Sequence, residues 1–358
     1  MPDIMVDIKT ILARAVEDLA SDVHINVGMP PVLRKNTELI KMDFPETSNE
    51  DAKEMVLSMT GQDRFRAFEE RMDYDFSTTI ESGHRFRVNA HYQRDTIAIS
   101  FRVIPTEAPP MESLHLPPIV SELSDLPRGL ILVTGHTGSG KSTSLAAMIG
   151  LINNKYTKRV ITLEDPIEYL LQNNLCQIEQ REVGSDVPNF ASGLRHVLRQ
   201  DPDIIMVGEM RDLETTSSAI TAAETGHLVL STLHTINATQ TIERIVDIYP
   251  AGQQNQIRTM LANTLKAVIS QTLFRRVDEP GMVPSTEILL CTSAVRNCIR
   301  ENRIHEIPNI IETSGRLSMH SMDASIIQLH EKGYIDREEA IARSSDSSKM
   351  ERLLGTAG

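Results

Sequence analysis

Gly135-His136-Thr137-Gly138-Ser139-Gly140-Lys141-Ser142-Thr143 satisfies every fixed position of G-x-x-x-x-G-K-[ST], the loop that wraps the phosphates of a nucleotide. Glycines let successive backbone N–H groups turn inward on an anion, Lys141 brings mobile positive charge to the β- and γ-phosphates, and the Ser142 hydroxyl can ligate Mg2+. The flanks agree. Leu130-Ile131-Leu132-Val133 is a continuous apolar run that predicts a buried strand, and Leu145, Met148, Ile149 and Ile152 recur at helical spacing after the loop. Strand, loop and helix in this order aim a helix amino terminus at the anion. The expected ligands are ATP and Mg2+. A GTPase would share the loop, but it also needs N-K-x-D, and Asn154-Lys155-Tyr156-Thr157 lacks the aspartate.

Outward from the loop, the pattern predicts strands over 130–134, 160–163, 204–207 and 228–232 alternating with helices over 141–153, 188–200 and 212–224. Such alternation argues for an α/β domain with a mainly parallel sheet and ligand chemistry at the carboxyl ends of its strands. Three motifs fall at such ends. Pro166 closes the strand of Val160-Ile161-Thr162-Leu163-Glu164-Asp165 and leaves carboxylates at its tip, so Glu164 is the candidate general base. Ile204-Ile205-Met206-Val207-Gly208-Glu209 delivers Glu209 to the position of a Mg2+-binding or water-orienting acid, acting on the metal through its water because Gly208 stands where many such enzymes have aspartate. Gly226 to Thr235 carries a histidine at each end of a strand. His234 is the candidate sensor of the γ-phosphate, and His227 is a second candidate nucleotide contact. Ile257, Met260, Leu261, Leu265, Val268 and Ile269 predict one later helix, and short helices are expected after Pro284.

The amino-terminal part has a different grammar. Met5, Ile8, Ile11, Leu12, Ala15, Val16 and Leu19 line one face of an opening helix, a strand follows over 23–27, Pro30-Pro31 turns the chain, and 32–35 is extended again. Helices are expected over 48–60 and 63–70. Arg85 to Tyr92 and Ile97 to Val103 then alternate apolar with polar residues around Gln93-Arg94-Asp95, the pattern of a hairpin with two unlike faces. Arg85, Arg87 and Arg102 all leave its apolar face and can converge on its polar side. Five prolines fall within 105–118, the composition of a linker. The predicted domains are therefore 1–104, α+β; 105–118, linker; 119–292, nucleotide-binding; and 293–358, helical.

The chain of 358 residues is 40% apolar and 24% charged, ordinary for a globular protein with two cores. Thirty-six basic against 49 acidic residues, a net charge of −13, argues against nucleic acid as a partner. Cys176, Cys291 and Cys298 show no C-x-x-C spacing, which excludes a four-cysteine zinc site or a disulfide framework and fits a reducing cytoplasm. No apolar run approaches the roughly 20 residues that span a bilayer, so direct membrane insertion is not expected and any membrane role would come through a protein partner.

Taken together, the loop, Leu163 to Glu168, Asp201 to Asp212 and Gly226 to Thr235 resemble the nucleotide loop, Asp box, Walker B region and His box of the secretion ATPases of type II secretion and type IV pili. Ser21-Asp22-Val23-His24, Pro30-Pro31 and Arg85-Phe86-Arg87-Val88-Asn89 are similar to that superfamily's PAS-like domain. The resemblance covers almost the whole chain. It implies a PAS-like amino-terminal domain followed by a RecA-like ATPase domain with carboxyl-terminal helices, assembled as a homohexamer, with Arg85, Arg87 or Arg102 reaching the phosphates. Ala294-Val295-Arg296-Asn297-Cys298-Ile299-Arg300-Glu301 resembles the A-I-R-N-L-I-R-E element of the pilus retraction (PilT) family, departing at Val295 and Cys298, and marks Ala294, Arg296, Asn297 and Arg300 for coupling to partners. Segments such as Ser144 to Gly150 look closer to the accessory retraction paralogue, PilU. The implied partners are an inner-membrane pilus platform protein and a paralogous retraction ATPase, and the implied location is the cytoplasmic face of the inner membrane at the pilus base. A nucleotide-sensing scaffold without motor activity is the alternative.

Overall fold

The computed structural model describes residues 7–35 and 38–355. It divides into two compact units, one running to Glu107 and including Glu168–Leu170, the other made of Ala108–Ile167 and the chain from Leu171.

In the first unit, helix α1 (Ile8–Glu17) starts at Asp7, whose carboxylate accepts the Lys9 N–H. Met5 lies outside the described residues. Strands β1 (Asp22–Asn26), β2 (Val32–Lys35), β3 (Glu38–Lys41), β4 (Asp73–Thr79), β5 (Arg85–Gln93) and β6 (Thr96–Ile104) form one antiparallel sheet in the order β3-β2-β1-β6-β5-β4. The β5–β6 hairpin turns through Arg94 and Asp95, both at positive φ, the backbone of a two-residue turn that matches strand twist. Helix α2 (Asn49–Arg71) opens with a capping box between Ser48 and Asp51. Gly61, at φ +75°, interrupts it and leaves the two helical stretches that the sequence predicts. Ile11, Leu12, Val56, Phe68, Phe86, Val88 and Phe101 fill the core between helices and sheet. Strands β3 and β4 were not expected, because β3 is exposed at every residue and β4 buries only Phe76.

The second unit holds α3 (Pro118–Ser124), β7 (Gly129–Thr134), α4 (Lys141–Asn153), β8 (Arg159–Glu164), β9 (Gln177–Glu182), α5 (Phe190–Val197), β10 (Ile204–Val207), α6 (Leu213–Glu224), β11 (Leu228–Leu233), α7 (Ala238–Asp247), α8 (Gln254–Thr264), β12 (Leu265–Arg275), β13 (Met282–Leu290) and α9 (Ser293–Arg300). Beyond them come α10 (Ile307–Thr313), α11 (Met322–Glu331), α12 (Arg337–Ala342) and α13 (Ser347–Gly355). The sheet order is β13-β12-β7-β11-β10-β8-β9, parallel except for β13. Leu130 and Leu132 point into one core while Ile131 and Val133 point into another on the opposite face. Burial on both faces is why β7 reads as a continuous apolar run rather than an alternating one.

Three expectations are corrected. The helix expected through Leu265, Val268 and Ile269 ends at Thr264, and those residues lie in β12, between β7 and β13. The chain after Pro284 is not at once helical: Pro284 is inside β13, tolerated because β13 is an edge strand with a side that needs no ladder N–H. The proline-rich stretch is not a spacer throughout, since the unit boundary falls within it and Met111 is buried in the second unit's core.

Candidate active site

Strand β7 ends at Thr134, a fully buried residue whose hydroxyl donates to Ser270 Oγ on β12 at 2.9 Å. The next residue must be glycine. Gly135 has φ +143°, and a Cβ there would fall 2.3 Å from the Gln271 carbonyl oxygen and 2.5 Å from Ser139 Oγ. Gly140, at φ +86°, stands at the start of α4 and admits the chain into the helix. Lys141, 8% exposed, donates from Nζ to the carbonyls of Gly135 and His136, both at 2.9 Å, so its ammonium lies across the loop. Burial lowers its pKa, and the Glu209 carboxylate acts in the opposite direction. Ser139 Oγ is buried with no hydrogen-bond partner within the protein, while His136, Thr137, Gly138 and Ser142 are exposed and Thr143 is half-buried. An orphaned donor in a glycine-walled loop, beside a buried ammonium, suits a phosphate group.

Because β7, β11, β10 and β8 are neighbours and parallel, their carboxyl ends form a row: the loop, then His234, Glu209 and Glu164. Glu164 ends β8 and is 7% exposed. Its Oε1 accepts from Thr162 Oγ1 at 2.6 Å and from Gln180 Nε2 at 2.9 Å, Gln180 standing directly opposite Thr162 on β9. Glu209 follows β10 and is held from two sides, by Arg211 Nε on one carboxylate oxygen and by His234 Nε2 at 3.2 Å on the other. Sequence reasoning missed Arg211, Thr162 and Gln180. Arg211 was legible only as part of the Gly208 to Asp212 motif, and nothing in the polar run of β9 gave it away as a strand.

His227 is corrected by strand direction. It precedes β11 whereas the loop follows β7, and the residues between them in these paired strands span roughly 20 Å at 3.3 Å per residue. Its Nδ1 instead lies 2.9 Å from the Ala222 carbonyl at the end of α6. In the first unit Arg87 and Arg102 are directly paired across β5 and β6, and Arg85 shares their face. Arg102 Nε donates to Asp22 Oδ1 at 2.9 Å and Arg85 Nη2 to Ser77 Oγ at 2.6 Å. On α9, Ala294, Asn297 and Arg300 are exposed and Arg296 is half-buried, while Val295 and Cys298, the two departures from the retraction element, face the core.

Among the described residues, no group of three His, Cys, Asp or Glu side chains could hold a metal by itself. A Mg2+ ion at a phosphate keeps water and phosphate ligands and takes few from protein. Exposed Ser142 and two-point-anchored Glu209 fit that requirement.

This sheet order, with a phosphate loop after β7 and acids at adjacent carboxyl ends, defines a RecA-like P-loop ATPase. Residues 3–352 match the family model of the type II/IV secretion system proteins, and the chain belongs to that family, as one of its ATPases. It is 43% identical over 93% of its length to the type IV pilus retraction ATPase PilT of Pseudomonas aeruginosa, of which the match covers 97%. It is 38% identical over 97% of its length to that organism's type IV pilus ATPase PilU, of which 91% is covered. The crystal structure of the pilus retraction motor PilT with bound ADP superposes with a TM-score of 0.90 at 42% identity, covering 97% of this chain and 99% of that one. The Legionella pneumophila ATPase DotB has a TM-score of 0.75 at 30% identity, with 97% and 95% covered.

Proposed function

We propose that the chain is a homohexameric motor that hydrolyses ATP to retract type IV pili and so drives twitching motility, working from the cytoplasmic face of the inner membrane on a pilus platform protein, alongside a paralogous retraction ATPase. The observation that carries this reading is the row of loop, His234, Glu209 and Glu164 at adjacent strand ends, in a chain that matches PilT along nearly its full length. Loop N–H groups and Lys141 hold the phosphates. Glu164, its Oε1 fixed by Thr162 and Gln180, accepts the proton of the attacking water, and geometry held in advance costs nothing at the moment of reaction. Bound Mg2+ neutralises charge on the phosphates, with Ser142 and, through water, Glu209 as the residues that would hold it. His234 reports on the γ-phosphate through its contact with Glu209.

Arg85, Arg87 and Arg102 act as the arginines that reach the phosphates from the amino-terminal domain. The Arg102 side chain is 69% exposed, so its guanidinium is accessible to a second anion while Nε keeps its bond to the largely buried Asp22. The two domains of this motor are 1–104 and 119–292. The test is the mass and turnover of the purified protein. Motor function requires a six-subunit particle whose ATPase activity Lys141→Ala abolishes; a monomer that turns over no faster than that variant would leave only a nucleotide-sensing scaffold.

A further inference from the structure

The amino-terminal edge of the seven-stranded sheet, opposite the nucleotide loop, gathers cations that ATP chemistry does not use. Arg128 immediately precedes β7, and Lys266 is the second residue of the parallel neighbour β12. The Lys266 stem lies over Gly129, where a Cβ would fall 2.4 Å from Lys266 Cε. Strand β13 runs the other way and brings Cys291 to this edge, its N–H donating to the Lys266 carbonyl at 2.8 Å. Helix α9 begins two residues later and carries Arg296 and Arg300. The Lys266 ammonium is half-buried and sits in the positive fields of Arg296 and Arg128, which reinforce burial in lowering its pKa. Arg296 and Arg300 also stand close enough to Cys291 to stabilise its thiolate, although burial dominates and pushes that thiol up to about 11.

Among the described residues, none of these four cations forms an ion pair with a carboxylate, and Arg296 Nε is buried with no hydrogen-bond partner. Like charges held together without counter-charges raise the energy of the fold, and this chain has 49 acidic residues against 36 basic ones from which to supply counter-charges. The arrangement therefore points outward. We propose that this edge is a docking surface for an acidic peptide segment of a partner protein, with Arg128, Arg296 and Arg300 as carboxylate forks and Lys266 as a fixed charge between them. The inference rests on reading α9 as the coupling element of a motor. Guanidinium groups match carboxylates in bidentate geometry, which favours acidic side chains as the occupant. An anionic bilayer fits less well, because the exposed residues Arg128, Ala294, Asn297 and Arg300 offer no large apolar side chain to insert.

The experiment is fluorescence anisotropy of a labelled octaglutamate peptide titrated with the full chain at about 50 mM salt, where screening between exposed charges is modest. Expected are saturable binding that weakens with salt, a loss of ~10-fold or more in Arg128→Glu/Arg300→Glu, recovery in Arg128→Lys/Arg300→Lys, and unchanged ATP turnover in all three proteins. The proposal is overturned by no binding to the native chain, by equal binding to the charge-reversed variant, or by phosphatidylserine vesicles binding through Arg128 and Arg300 while the peptide does not. Failure of the motor reading would show differently, as intact peptide binding in cells whose pili retract without this protein.

Discussion

Glu164 and Glu209 are both acids at strand ends, and different side chains hold them. Glu164 Oε1 accepts from Thr162 and Gln180, and Glu209 is bound by a guanidinium and an imidazole. Glu164→Gln should lower kcat by about 10²-fold or more through loss of the proton acceptor, and Glu209→Gln by a similar factor, with ATP affinity little changed because Lys141 and the loop hold the phosphates. Steady-state kinetics beside equilibrium binding checks this, and near-normal turnover in both variants would remove the assignment. The two histidines divide in the same way. His234→Asn should slow turnover, while His227→Gln, altered at the far end of β11, should leave both affinity and kcat near those of the native chain. For the hairpin, Arg102→Ala should weaken ATP binding far more than ADP binding; equal losses would return the arginines to an ordinary solvated sheet face.

At the scale of elements, α9 has an outward face and a half-buried one. Ala294, Asn297 and Arg300 look outward, while Arg296 lies partly buried beside Cys291. Asn297→Ala and Arg300→Ala should keep ATPase activity and melting temperature while abolishing retraction. Arg296→Ala should also lower the melting temperature, since it removes packed side chain as well as charge. Loss of ATPase activity in step with retraction in Arg300→Ala would show the helix to be structural. Strands β7, β8, β10 and β11 were legible because each is a short apolar run ending in a motif. Strand β12 was not: Ile257, Met260 and Leu261 set a helical rhythm that Leu265, Val268 and Ile269 happen to continue, and a strand buried on both faces has no alternation to contradict it. The place of Glu164 at a strand tip was legible because it ends an apolar run closed by Pro166, whereas its hydrogen-bond partner Gln180 lies on the polar edge strand β9, which carries no hydrophobic signal.

For the molecule as a whole, stability should carry a histidine signature. His320 packs against β13 with Nε2 2.9 Å from Thr286 Oγ1, and burial lowers its pKa from 6.5. The unfolded chain therefore binds that proton more readily than the folded one, so stability is full above about pH 6.5 and declines as pH falls from there towards the lowered native value. Thermal melts across that window should show His320→Gln declining less steeply than the native chain; parallel curves would exclude His320 as the source. If ATP turnover at this site retracts pili, imaging of labelled pili in cells whose only copy of this protein carries Lys141→Ala will show it. Pili in those cells should extend and remain extended, with retraction restored by the native chain. Retraction at the native frequency and speed in those cells would contradict it.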